Sequence, residues 1–423
     1  MKIIDRIGPA LAALVGAFVA GFAILASEPN DNIVLEMDGR FWLHTTLQWA
    51  ATVAAVTAVL VYVALRARAS TAATVTATIA GACVLALPAW MDVTTAQSVS
   101  LAGLGAGSLL GVSAFLVPDR AAARVAPAVG LVAALLFTPA VDALRPQADR
   151  WLLSLDPHYP TAVVPVPALL VTVVLIVGVA LRCVPTAVAP PDRRLLFVGM
   201  GLPMLFLLAF SAVGSAMPDY VPWLIGVTVA LVATLAVTRL LPVPDAVLLM
   251  VGLAIAAAVV SDLGWYLTSR AAAWLAVGVV LLAAGVWVGR RRPASVAALA
   301  VLTAVTAAGL LPGDTVVAVV AYAVVLPLAA GFAFGSCRPV RPEAVLTAGM
   351  LPFTLTLTLV SVYVPVRESE VDFGWTAVLS DTLPVIEMYV ANVDWPVVAM
   401  AVVVALLAAT TAVLVRRRDP VAS

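Results

Sequence analysis

The chain is poor in the polar residues that carry enzyme or cofactor chemistry. Its 423 residues include 3 cysteines and 2 histidines, and 11% are charged. Two histidines without a suitable cysteine pair argue against a zinc, haem or iron–sulfur centre. The sequence also lacks a Gly-x-Ser-x-Gly nucleophile elbow and a His-Glu-x-x-His helix. We therefore expect no metal, no cofactor and no catalytic residues, which makes an enzyme the less favoured class.

Soluble segments are also missing. The longest polar connections are residues 27–44, 142–160 and 366–394, and each is too short to fold alone. This excludes a fused ATPase or another phosphate-binding module, and no nucleic-acid partner is expected. The sequence predicts a single integral membrane domain over residues 1–423.

Long apolar runs occupy most of the chain. The composition is 63% hydrophobic and the mean hydropathy is +1.11, far outside the range of soluble domains. A membrane span needs about 20 mostly apolar residues. Hydropathy predicts an all-α polytopic transmembrane helical bundle of about 14 spans. The predicted spans are 7–26, 45–65, 71–90, 98–117, 123–141, 161–181, 195–213, 221–238, 246–266, 271–289, 294–311, 315–335, 343–365 and 395–415.

The charges between these spans alternate in sign from one side to the other. Connections on the side of the amino terminus hold 18 of the 23 basic residues, whereas the opposite side holds 17 of the 23 acidic residues. Basic residues concentrate in cytoplasmic loops of membrane proteins. The pattern predicts a multi-pass protein of the cell membrane with both its N-terminus and its C-terminus cytoplasmic.

Small residues and prolines mark particular spans. Gly103, Gly107 and Gly111 recur every four residues, which predicts a face for close helix packing. Interior prolines predict kinks, since proline lacks an N–H donor. The kinked spans contain Pro203, Pro327 and Pro352.

The candidate substrate-binding residues are polar residues of the exterior loops and of the predicted spans. Thr354 and Thr358 follow Pro352 and are predicted to line a cavity, and Gln48 lies near the start of the second span. The full candidate set is Glu36, Asp38, His44, Gln48, Asp156, His158, Asp262, Thr354 and Thr358. No Asp, Glu, Lys or His falls at the middle of a predicted span, which argues against proton antiport through a buried carboxylate.

These features favour a permease or flippase for an apolar, amphipathic or lipid-linked substrate. A second possible function is a membrane subunit of a multi-protein complex. Its arginine clusters at 290–292 and 416–418 would contact a protein partner at the cytoplasmic face, although membrane lipid is an equally suitable partner.

Two short stretches of the chain resemble parts of known families. The acidic first exterior loop resembles that of membrane glycosyltransferases with lipid-phosphate donors, and Glu36 and Asp38 match the position of their catalytic carboxylate. This resemblance implies a third possible function, a lipid-dependent enzyme with an exterior-face site. The run from Asp119 to Arg124 resembles part of the major-facilitator loop motif. It has Ala122 in place of the motif glycine, and it follows the fourth span instead of the second.

Overall fold

The described part of the chain is entirely helical. A computed structural model describes residues 4–26, 46–91, 93–117, 121–144, 164–182, 192–214, 220–260, 271–311, 315–341, 343–350 and 395–416. Within these ranges the secondary structure consists of helices and their connections, with no strand. The predicted all-α class is confirmed for these residues.

Each of the predicted spans contains a helix over its described residues. In chain order the helices of more than four residues are α1 (Ile4–Leu25), α2 (Leu47–Arg68), α3 (Thr71–Ala86), α4 (Thr95–Leu116), α5 (Ala126–Ala143), α6 (Val166–Ala180), α7 (Arg193–Gly214), α8 (Tyr220–Thr238), α9 (Val243–Val260), α10 (Ala271–Arg291), α11 (Ser295–Ala308), α12 (Val316–Ser336), α13 (343–350) and α14 (Trp395–Arg416).

Eight of these helices are long and apolar enough to cross a membrane. They are α1, α2, α3, α4, α7, α10, α12 and α14. The described parts of α5, α6, α8, α9 and α11 are apolar but shorter. A span needs about 20 apolar residues, so the eight long helices indicate a membrane-embedded protein.

Local sequence explains where several helices begin and end. Thr94 and Gln97 form a capping box at the start of α4, in which each side chain accepts a hydrogen bond from the backbone N–H of the other. The side chain of Ser70 caps α3 in a similar way. Ala69, in the left-handed conformation with φ 42°, closes α2 by donating its N–H to Leu65 O. These signals permit a connection of two residues between α2 and α3.

Two hydrophobic cores organise the bundle. The first core is built from α1, α2, α3, α4 and α6, and the second from α7 to α12 together with α14. Helices α5 and α13 contribute to both: Val132 and Val345 pack in the second core, while Leu131 and Leu346 pack in the first. Because α5 and α13 are shared, they lie where the two cores meet.

The predicted glycine face of α4 is confirmed as a packing surface. A Cβ atom added to Gly103, Gly107 or Gly111 would lie 2.7, 2.5 or 2.7 Å from a carbonyl oxygen of α2. The three carbonyls belong to Ala50, Ala54 and Ala58. Glycine at these positions lets the two backbones come into contact, as in other membrane helix pairs.

Helix α12 changes its hydrogen-bond pattern beside a predicted kink. Residues Ala321–Val325 form a π turn, and Leu326 donates its N–H to Ala321 O, five residues back. Pro327 follows at once and has no N–H to donate. Such π turns are frequent at functional sites and bends. Pro203 lies inside the continuous helix α7, and Pro352 lies outside the described residues.

We expect Gly107→Ala to destabilise the protein by about 1–3 kcal/mol, because the added methyl group meets the α2 backbone and cannot be accommodated by side-chain rotation. Gly178→Ala in α6 is the matched control, since no atom lies within 4 Å of the added Cβ. The control should be neutral or slightly stabilising. Thermal unfolding of the purified proteins in detergent measures both. Equal unfolding temperatures for the two variants would contradict the close α2–α4 contact.

Candidate functional site

One candidate residue from the sequence lies in the described part of the chain. Gln48 is on the first turn of α2 and is 3% exposed. The others lie outside the described residues, so their predicted roles stay predictions. They are Glu36, Asp38, His44, Asp156, His158, Asp262, Thr354 and Thr358.

Gln48 belongs to a buried polar stripe along α2. Its polar members are Gln48, Thr52, Tyr62 and Arg66. Together with Ala55 and Val59 they follow one another in steps of three or four residues. This spacing places the residues on one face of a helix. Tyr62 is fully buried, and Thr52 is also buried. We call Gln48, Thr52, Tyr62 and Arg66 the α2 stripe.

The α2 stripe faces helices of the second core and of the boundary. Thr52 Oγ1 donates a hydrogen bond to Pro203 O of α7 at 3.4 Å. A Cβ atom on Gly199, one turn earlier in α7, would lie 3.2 Å from both Val59 Cγ2 of α2 and Thr347 Oγ1 of α13. Helix α7 therefore passes close to α2 and α13, and the stripe lies in the seam between these three helices.

A buried carboxylate meets the stripe at its arginine end. Glu343, the first described residue of α13, is 5% exposed. Its Oε1 accepts a hydrogen bond from Tyr62 Oη at 3.1 Å and lies 3.7 Å from Arg66 Nη2. The Arg66 guanidinium also lies 5.1 Å from the centroid of the Tyr62 ring. Glu343 thus connects the boundary helix α13 to α2 through a hydroxyl donor and a cation.

The connection from α12 to α13 is held from several other directions. Residues 337–341 belong to this connection, and we call them the linker. Asp245 Oδ1, on the first turn of α9, accepts the Val340 N–H at 2.9 Å. Arg124 Nη1, which precedes α5, donates to Pro339 O at 3.0 Å and also to Val340 O.

A second ion pair completes the cluster. Arg341 of the linker pairs with Asp192, which lies at the start of α7. Polar groups from α2, α7, α9 and the region before α5 therefore converge on the linker and Glu343. We call this set the ionic cluster; its members are Tyr62, Arg66, Arg124, Asp192, Asp245, Arg341 and Glu343.

Asp245 is more deeply buried than Glu343. It is 1% exposed and precedes the predicted span 246–266. Its Oδ2 accepts no hydrogen bond from the described part of the protein. Burial raises the pKa of the Asp245 carboxyl, and the Val340 N–H, which stabilises the ionised form, lowers it in part. Nearby Glu343 raises this pKa further and Arg124 lowers it, with a net upward shift.

The sequence does not predict the ionic cluster. It places Asp245 and Glu343 in hydrated cytoplasmic connections, because each lies next to a predicted span end. A local signal does exist: the polar residues of α2 follow helical spacing from Gln48 to Arg66. The partners on α9 and α13 are far away in sequence, and no local pattern indicates them.

The chemistry available here is hydrogen bonding, ion pairing and proton exchange. Among the described residues, no group of three or more His, Cys, Asp or Glu side chains is arranged to hold a metal ion. The paired groups instead join α2, α7 and α9 to the linker and the start of α13. Such an arrangement can lock the relative positions of helices from both cores.

We expect Arg66→Ala to destabilise the protein by about 3 kcal/mol, because it leaves the buried Glu343 carboxylate without its cation. Arg68→Ala is the matched control, since Arg68 is exposed two residues further along the same helix. The control should change stability by less than about 0.5 kcal/mol. Thermal unfolding in detergent compares the two. Similar losses in both variants would argue against the Arg66–Glu343 pair.

Comparison with protein-family models gives no match for this chain, and a search of curated proteins finds no similar sequence. Family membership therefore supplies no function. The α2 stripe and the ionic cluster are the features of the described residues that bear on function.

Proposed function

We propose that the protein is a multi-pass permease or flippase-like carrier of the cell membrane that moves an apolar, amphipathic or lipid-linked substrate. The observation that supports this proposal is the α2 stripe, in which Gln48, Thr52 and Tyr62 are buried in the seam between two hydrophobic cores. Polar residues are costly in a membrane interior, and those found there commonly line a substrate path.

The two-core architecture fits alternating access. Many carriers bind substrate near the membrane midplane, between two bundles that rock against each other. Here α2 belongs to the first core and α7 to the second, and they meet at Thr52 and Pro203. The hydrogen bond between them joins side chain to backbone across the seam. A substrate entering this seam would replace that bond.

The distribution of polarity indicates the substrate class. Near the Gln48 end the stripe offers neutral amide and hydroxyl groups, whereas the charged residues gather at the Arg66 end. A highly charged substrate crossing the neutral part would lack a counter-ion there. An amphipathic molecule with a small polar head suits this surface better.

The proposal includes fourteen spans with both termini cytoplasmic, in agreement with the charge alternation of the connections.

We expect Asn30→Cys to react with a membrane-impermeant maleimide in intact cells. Ser423→Cys should react only after the cells are permeabilised. Both are made in full-length protein whose native cysteines are replaced by serine. Reaction of Ser423→Cys in intact cells would contradict the cytoplasmic C-terminus.

Transport is tested in proteoliposomes with two probes. NBD-labelled phosphatidylglycerol reports lipid movement through bleaching by dithionite, and rhodamine 6G reports uptake of an amphipathic molecule. We expect at least one probe to move faster than in protein-free vesicles. We also expect Thr52→Val to slow it by roughly tenfold, the effect of about 1.4 kcal/mol on a barrier, because the hydroxyl of the stripe is lost.

Thr228→Val is the control for this experiment. Thr228 is exposed on α8 and donates to Leu224 O within its own helix, so its loss should leave the rate unchanged. If neither probe moves in vesicles that contain folded wild-type protein, the carrier proposal fails for lipid and amphipathic substrates. Equal slowing of transport by both threonine variants would contradict the proposal that the α2 stripe lines the substrate path.

A further inference from the structure

We infer that Asp245 is a proton-binding site, and that it releases its proton when the seam between the two cores opens at the ionic cluster. This inference rests on the proposed transport function, because it makes the proton the coupling ion of that carrier. The sequence argues against a proton-coupled carrier, since no carboxylate lies at the middle of a predicted span. The structure instead buries a carboxylate at the start of α9, close to the boundary between the two cores.

The surroundings of Asp245 suit a group that changes its protonation state. It is almost completely buried, and its Oδ1 accepts one backbone hydrogen bond from Val340. Its Oδ2 accepts no hydrogen bond from the described residues. By contrast, Glu343 has a hydroxyl donor in Tyr62 and a cation in Arg66. Ionised Asp245 is therefore the less well stabilised of the two carboxylates.

The groups that influence the ionisation of Asp245 come from three parts of the chain. Glu343 of α13 disfavours the ionised form of Asp245, whereas Arg124 before α5 favours it. On the linker, the backbone N–H groups of Val340 and Arg341 also favour the ionised form. Burial is the largest influence and opposes ionisation, so the arrangement as a whole raises the pKa of Asp245 and favours its protonated form.

Opening the seam must disturb these contacts. Asp245 holds the linker from α9 in the second core, and Tyr62 with Arg66 holds Glu343 from α2 in the first core. Glu343 follows the linker directly after Pro342, so α2 cannot move away from α9 without breaking one of the two attachments. We infer that such a break admits water to the Asp245 carboxyl.

The sign of the coupling follows from burial. In the closed seam burial raises the pKa of Asp245, and hydration on opening returns it toward its ordinary value. The closed form therefore binds the proton more tightly than the open form. Low pH favours the closed seam, and rising pH favours opening with release of the proton from the carboxyl oxygen to water.

The buried thiol of Cys337 is a natural reporter of opening. Cys337 begins the linker, is 5% exposed, and donates its S–H to Ala333 O at 3.3 Å. Burial raises its pKa to about 12, so the closed form should react slowly with N-ethylmaleimide. Replacing Cys83 and Cys183 by serine leaves Cys337 as the single thiol of the chain.

We expect the labelling rate of Cys337 to rise with pH more steeply than thiol ionisation alone explains. The rate is measured on purified full-length protein in detergent and divided at each pH by the rate for the same protein denatured in SDS. The normalised rate should rise by up to about tenfold per pH unit and then level off, as for release of one proton. Asp245→Asn, which mimics the protonated carboxyl, should keep it low and independent of pH.

Glu343→Gln provides a second test if Asp245→Asn does not fold. Removing the neighbouring negative charge should shift the midpoint of the normalised rate to lower pH, because Glu343 raises the pKa of Asp245. A normalised wild-type rate independent of pH would overturn the inference. Labelling of Asp245→Asn as fast as wild type at pH 8 would also overturn it.

The labelling experiment does not depend on transport, so the two proposals fail separately. If Cys337 labelling depends on pH as expected but the protein transports neither probe, the result supports Asp245 as a proton-binding site and contradicts the carrier function. If a pH gradient does not change the transport rate, and Cys337 is labelled equally fast in wild type and Asp245→Asn, the carrier function is supported and proton coupling through Asp245 is contradicted.

Discussion

The cost of an unpaired polar group in an apolar interior governs this structure. In a chain that is 63% hydrophobic, each buried hydroxyl or charge has to find a partner. Most buried threonines solve this locally: Thr78, Thr172 and Thr306 each donate to the carbonyl four residues earlier in their own helix. The groups of the ionic cluster depend on distant partners instead, so their positions require the whole bundle to be assembled.

Helix α2 has two faces that make different kinds of contact. One of its faces presents Ala50, Ala54 and Ala58 to the glycines of α4, where backbones touch and little movement is possible. The α2 stripe faces α7 and α13, where contacts are made through hydrogen bonds and an ion pair. Close backbone packing makes the first interface rigid, whereas discrete polar contacts can be exchanged. Relative motion of the two cores should therefore occur at the stripe and not at the α2–α4 contact.

The sequence predicted the parts of this structure that depend on local pattern. Hydropathy located the helices, and the spacing of Gly103, Gly107 and Gly111 identified a packing face. Pro327 marked the region where α12 forms a π turn. The sequence also selected Gln48, which is buried on the α2 stripe. It missed Asp245 and Glu343 because charges next to span ends normally meet water. Their burial results from contacts across about a hundred residues or more, as between Asp245 and Val340.

The energetics of buried charge fit the place of such a cluster at the boundary between two cores. A buried ion pair adds little net stability compared with apolar side chains of similar size, but the loss of one partner is expensive. The Arg66–Glu343 pair is therefore a poor means of strengthening a bundle that is already well packed. These groups differ in free energy between the two proposed arrangements. In the closed arrangement the protein surrounds them, and in the open arrangement water does. Burial in the first arrangement raises the pKa of Asp245. With Asp245 as the proposed proton site, a proton gradient would favour one arrangement over the other.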